Sequence, residues 1–184
     1  MGKDLKENKN KKIDKKIVLC TYIIIFLIGA IAGFIYEELF CLIIDKELIK
    51  RGFLYGPYLP VYGFGAIIMT YLLKRFKKDP LVVFLLAMLI TGIVEYLTGY
   101  LMFTIYHRSW WDYTGLFLNI NGYVCLRSVL TFGIGGLLLI YIIEPFVSDL
   151  STRVNKNKYM YASVLIVSIL VIDLVLTLVF RNKL

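Results

Sequence analysis

Five ionisable side chains stand inside otherwise apolar runs: Glu37, Glu38, Glu95, Arg127 and Asp173. A charge at bilayer depth is costly, so by default it marks an ion pathway, a proton relay or a ligand site. Acids outnumber the single base, and a cavity they line favours a cation, a proton or an amine-bearing ligand. The plainer alternative is an interhelical ion network that fixes helix register. In that reading Arg127 pairs with Glu95 or Glu37, and Asp173 is protonated or sits at a wet rim. Helical spacing argues for protein-facing positions. Gly29, Gly33 and Glu37 fall at i, i+4 and i+8, so they share one helix face. Gly92, Glu95 and Gly99 repeat the pattern, as do Arg127, Thr131 and Gly135. Small residues at this spacing let helices approach closely, and the three faces are expected to converge.

Two irregular stretches accompany these charges. "RGFLYGPYLPVYGFG" (51–65) holds two prolines, four glycines and three tyrosines. Such a stretch cannot be a continuous helix. Irregular backbone at membrane depth survives only where protein or water satisfies its polar groups, and broken helices of this kind expose carbonyls to substrates or ions. A simple turn is the competing reading. "HRSWWDYTGLFLNING" (107–122) is the second stretch. Trp110 and Trp111 suit an interfacial aromatic belt, but Asp112, Asn119 and Asn121 are not needed for one. The expected substrate site has Glu37, Glu95 and Arg127 as a buried polar core. Its entrance is Tyr55, Tyr58, Tyr62, Trp111, Asp112, Asn119 and Asn121.

The elements that position these residues follow from composition. The chain has 184 residues, 59% hydrophobic and 18% charged, with a mean hydropathy of +0.75. Soluble domains carry about 45–50% apolar and about 25% charged residues, so a bilayer must cover part of this surface. The expected fold is all-α: a polytopic transmembrane helical bundle in one domain over 17–182, preceded by a basic tail at 1–16. Five spans are expected at about 17–44, 57–73, 81–106, 123–146 and 159–180, the second broken or re-entrant at its start. The tail has seven Lys, the segment 74–80 has four Lys/Arg and 147–158 has three, against seven on the opposite side. That bias predicts a cytoplasmic N-terminus and places 45–63 and 107–122 on the same outer face. The net charge of +8 is explained by these juxtamembrane runs rather than by nucleic acid.

Enzyme signatures are sparse. His107 is the only histidine, which rules out a histidine metal cluster, and Cys20, Cys41 and Cys125 make no metal or disulfide spacing. The nucleotide-binding and hydrolase motifs G-x-x-x-x-G-K-[ST], G-x-S-x-G and H-E-x-x-H do not occur. No catalytic residue, metal or cofactor is expected.

The blocks "GFIYEELF", "KRGFLYGPYLPVYGFGA", "EYLTGYLM", "WWDYTGLFLNINGYVCLRS" and "FGIGGLLLIYIIEP" follow in order over about residues 30–147. Together they resemble the ABC-transporter type IV, or CmpB-like, family of bacterial integral membrane proteins. The resemblance implies a permease subunit in the bacterial cell membrane that works with a separate ATPase. Self-association through the glycine faces is expected. Two other readings compete with a solute permease. One is a non-transporting accessory or sensor protein. The other is a membrane enzyme acting on a lipid-linked substrate, with His107 and Asp112 near the headgroups.

Overall fold

The computed structural model describes residues 14–44, 46, 52–107, 109 and 111–180. The first thirteen residues of the basic tail lie outside them, as does Trp110. The chain is all-α. Its helices are α1 (Lys15–Ile44), α2 (Pro60–Leu73), α3 (Pro80–Tyr106), α4 (Leu126–Leu138), α5 (Glu144–Arg153) and α6 (Lys156–Phe180). A 3-10 turn at Lys74–Phe76 follows α2, and a π turn at Leu139–Ile143 joins α4 to α5.

Four helical stretches are long and apolar enough to cross a bilayer: α1, α3, the continuous α4–α5 rod and α6. Their large apolar side chains point outward, with Leu165 61% and Ile172 58% exposed. Water would not tolerate so continuous an apolar surface, so these faces meet lipid and the chain is a multi-pass membrane protein. The expected second span is different. Pro57 and Pro60 delay its helix until Pro60, leaving α2 with 14 residues. At 1.5 Å per residue that is about 21 Å, short of the roughly 30 Å hydrocarbon core. By helix length alone four spans are counted among the described residues, so the expected five is an approximate number.

The fold divides into two compact units, residues 1–65 with 146–184 and residues 66–145. In the first, α1 and α6 begin at the same end and run parallel. Asp14, before α1, pairs with Lys156 at the start of α6, and one turn further in the Thr21 and Tyr159 hydroxyls meet at 3.1 Å. The stretch 52–59 packs on these helices through Leu54 and Tyr58, which share a buried cluster with Ala30 and contact Phe26 and Leu170. The Leu59 N–H donates to the Ala30 carbonyl at 2.9 Å. A Cβ on Gly63 would lie 2.8 Å from the Phe26 carbonyl oxygen, so glycine is what permits this approach to the α1 backbone.

In the second unit α3 packs on α4. Asp79 caps α3, its Oδ1 accepting from the Leu81 and Val82 N–H groups at 3.1 and 3.3 Å. Pro80 occupies the first helical position, where its missing N–H is not needed. A Cβ on Gly92 would stand 3.1 Å from Val129, and one on Gly136 would stand 2.6 Å from the Ala87 Cβ. Of the glycines on the expected faces, Gly92 and Gly99 meet Val129 and Tyr123 within this unit, whereas nothing lies within 4 Å of a Cβ on Gly135. At the other end of this unit's charge range, Glu144 is only 2% exposed. Lys74 Nζ lies 2.6 Å and Lys77 Nζ 3.4 Å from its two oxygens. Sequence reading placed this acid at the edge of the fourth span and assigned it no role.

Candidate functional site

Contacts gather the predicted polar residues into two sets, one in each unit. In the first unit Asp173, on α6, holds the irregular stretch. Its carboxylate accepts from the Tyr55 N–H at 3.1 Å, the Gly56 N–H at 2.9 Å and the Tyr58 hydroxyl. Thr177, one turn further on, donates at 3.3 Å. Asp173 was expected to be protonated or at a wet rim in the plainer reading; it is part-buried and accepts from two backbone donors. Those donors exist because Pro57 and the glycines keep 52–59 out of a helix, so their N–H groups need a partner. Glu37 is served similarly, with the Tyr62 hydroxyl donating to it at 2.5 Å. A Cβ on Gly33 would overlap the Tyr62 ring, so Gly33 is the notch that lets Tyr62 reach Glu37. The Tyr55 side chain is exposed while its backbone is fixed.

The second unit carries the other set. Glu95 lies on α3, half-buried. Its two oxygens accept from the Tyr113 hydroxyl at 2.8 Å and the Ser128 hydroxyl at 2.7 Å. The Ser128 hydroxyl also accepts from the Cys125 N–H at 3.3 Å, closing the first turn of α4, and the Cys125 carbonyl, at 2.9 Å, is an alternative acceptor for its single proton. Arg127 was expected inside a buried core, one turn into its span. Because α4 starts at Leu126 rather than Tyr123, Arg127 falls in the first turn. Its side chain is exposed, with the guanidinium 6.0 Å from the Tyr113 ring centroid, at the edge of cation–π range. Tyr113 thus sits between Arg127 and Glu95.

The stretch 109–125 is a compact polar loop. Trp111, expected either in an interfacial belt or at the entrance, donates its indole N–H to the Tyr123 carbonyl at 2.8 Å. Asp112 Oδ1 accepts from the Thr114 N–H at 2.8 Å. Asn119 bridges the turn, donating to the Leu116 carbonyl at 2.9 Å and accepting from the Gly122 N–H at 3.3 Å. Asn121 Nδ2 donates to the Tyr96 hydroxyl at 3.0 Å. Gly122 has φ +72°, and a Cβ there would stand 2.7 Å from Asp112 Oδ1. The loop encloses a cleft of about 180 Å³ whose walls include Phe103, Trp111, Asp112, Thr114, Asn121 and Tyr123. The Thr114 side chain, then its backbone N–H, hold the Asp112 carboxyl below its ordinary value of 3.8, so it is ionised at neutral pH. Of the predicted entrance, Trp111, Asp112 and Asn121 line this cleft, whereas Asn119 shapes the turn.

Tyr113, Ser128 and Glu144 escaped sequence reading. The first two lie beside predicted residues, and their hydroxyls are the donors to the half-buried Glu95. No group of three or more His, Cys, Asp or Glu side chains suited to a metal occurs among the described residues.

These features define a class: a polytopic α-helical membrane protein with intramembrane carboxylates held by hydroxyl donors and a polar, aromatic loop cleft. Residues 24–178 match the family described as "Putative ABC-transporter type IV", and the chain belongs to it. No curated protein and no solved structure matches the chain.

Proposed function

We propose that the chain is a permease-type subunit that binds a small cationic or amine-bearing solute at the cleft of the 109–125 loop. The observation that carries this reading is the pairing of an ionised Asp112 with the aromatic walls of Trp111, Phe103 and Tyr123. A carboxylate supplies charge, and ring faces attract a cation that has shed part of its water. Glu95 joins the same loop through Tyr113 and provides a second carboxyl group along α3. Arg127, across Tyr113, limits how much positive charge the site takes. Glu37 with Tyr62, and Asp173 with Tyr58 and the Tyr55 backbone, fix the 52–62 stretch within the first unit.

Topology supports this placement. The parallel start of α1 and α6 requires an even number of crossings from the start of α1 to the start of α6. α1, α3 and the α4–α5 rod supply three, so 52–73 supplies the fourth, as an irregular half followed by the short α2. The charge bias then puts the N-terminus in the cytoplasm of a bacterial cell and the 109–125 loop outside. The family name supports a separate ATPase as partner. Purification in mild detergent with co-isolation of an ATPase, and solute uptake lost in Glu95→Gln while the protein still inserts, is the expected result. An inserted Glu95→Gln and Arg127→Gln pair that lowers yield but keeps uptake would reduce these residues to a register-fixing role.

A further inference from the structure

We propose that the groove between residues 16–23 of α1 and 160–168 of α6 binds an anionic phospholipid, with an acyl chain along the groove and the phosphate at Lys16. Lys16, Cys20 and Ile23 recur at i, i+4 and i+7 on α1, and Met160, Val164 and Val167 do so on α6, bounding a groove of about 320 Å³. The two stripes are parallel because the helices begin together. Seven residues of helix extend about 10 Å, about a third of the hydrocarbon core. The floor is set by small side chains: Cys20 is 8% and Ser163 1% exposed. Ser163 spends its hydroxyl on the Tyr159 carbonyl at 3.0 Å, so the floor offers an occupant no unmet polar atom. The rims stand proud, with Leu19 and Val164 both 63% exposed. A dry furrow on a lipid-facing surface fits an alkyl chain.

The charge at its mouth selects the headgroup. Asp14, the acid at this end, is taken by Lys156. The Lys16 backbone N–H contacts Asp14, but its exposed ammonium has no carboxylate partner among the described residues. The mouth therefore carries net positive charge at the level where a leaflet places its phosphates. A phosphatidylglycerol headgroup brings the uncompensated negative charge that a phosphatidylcholine headgroup lacks.

Native mass spectrometry of the full chain, released from detergent with added phosphatidylglycerol or phosphatidylcholine, tests this. Phosphatidylglycerol is expected to bind more tightly. Lys16→Gln should lower its affinity about five-fold, the factor one lysine supplies at an anionic surface, and leave phosphatidylcholine unchanged. Lys16→Arg should retain binding. Ser168→Phe, which fills the groove from an exposed position, should weaken both lipids while circular dichroism stays that of the parent. Equal binding of the two lipids, or no effect of Lys16→Gln, overturns the proposal. So does crosslinking through Val164→Cys that shows a second copy of the chain seated in the groove.

Discussion

Gly33 lacks a side chain where Tyr62 needs the space, and that single absence joins α1 to the start of α2. Gly33→Ala should cost about 1–3 kcal/mol, the usual range for overpacking, and should lower the melting temperature measured in detergent. Gly65 is the internal control, because nothing lies within 4 Å of a Cβ there. Gly65→Ala should be neutral or gain up to about 1 kcal/mol, since alanine is the better helix former. Asp173 makes a different demand. Asp173→Ala would leave the Tyr55 and Gly56 N–H groups without their acceptor. Hydrogen bonds to a charged group contribute about 1.5–3 kcal/mol each, so the 52–59 stretch should open. Faster amide hydrogen exchange at residues 55 and 56, with α3 unchanged, would report it; unchanged exchange would show that packing of Leu54 and Tyr58 alone suffices.

Elements divide by how strongly their local sequence dictates them. Expected spans at 17–44, 81–106 and 159–180 match α1, α3 and α6 within three residues at each end, because long apolar runs leave few alternatives. The break at 51–60 was visible in its prolines and glycines. The fourth span, expected at about 123–146, overlaps the α4–α5 rod, but its continuation to Arg153 was not visible, since a π turn has no periodic signature and Glu144 near the expected end gave no hint of Lys74 and Lys77 around it. The acids were identifiable as costly residues, and Tyr58 and Tyr62, the donors to Asp173 and Glu37, were among the expected site residues, but the donors to Glu95 were not: Tyr113 and Ser128 are distant from it in sequence, and aromatic and hydroxyl residues are common here. Arg127 was misplaced by a three-residue error in one helix start. The 109–125 loop carries its own pH prediction. The folded Asp112 pKa lies below its unfolded value. Its contribution is therefore full above about 3.8 and is lost as pH falls through the lower folded value. Tryptophan fluorescence should shift across that acid window, and Asp112→Asn should flatten the response.

At the scale of the whole molecule, the parallel α1 and α6 underlie the proposed topology, in which 52–73 completes a crossing. Single cysteines at Tyr55 and Asn119 should react with an impermeant reagent added outside intact cells; reaction only after permeabilisation would invert the topology. The central claim is that an outer, aromatic and acidic cleft takes a small cation. The most direct measurement is the melting temperature of the purified full chain titrated with small organic ammonium ions, beside uncharged analogues of the same size. The account predicts a saturable rise with the ammonium ions alone, by mass action on the folded state, and its loss in both Asp112→Asn and Glu95→Gln variants that still fold. A rise that is equal with the uncharged analogues, or that survives both substitutions, would contradict it.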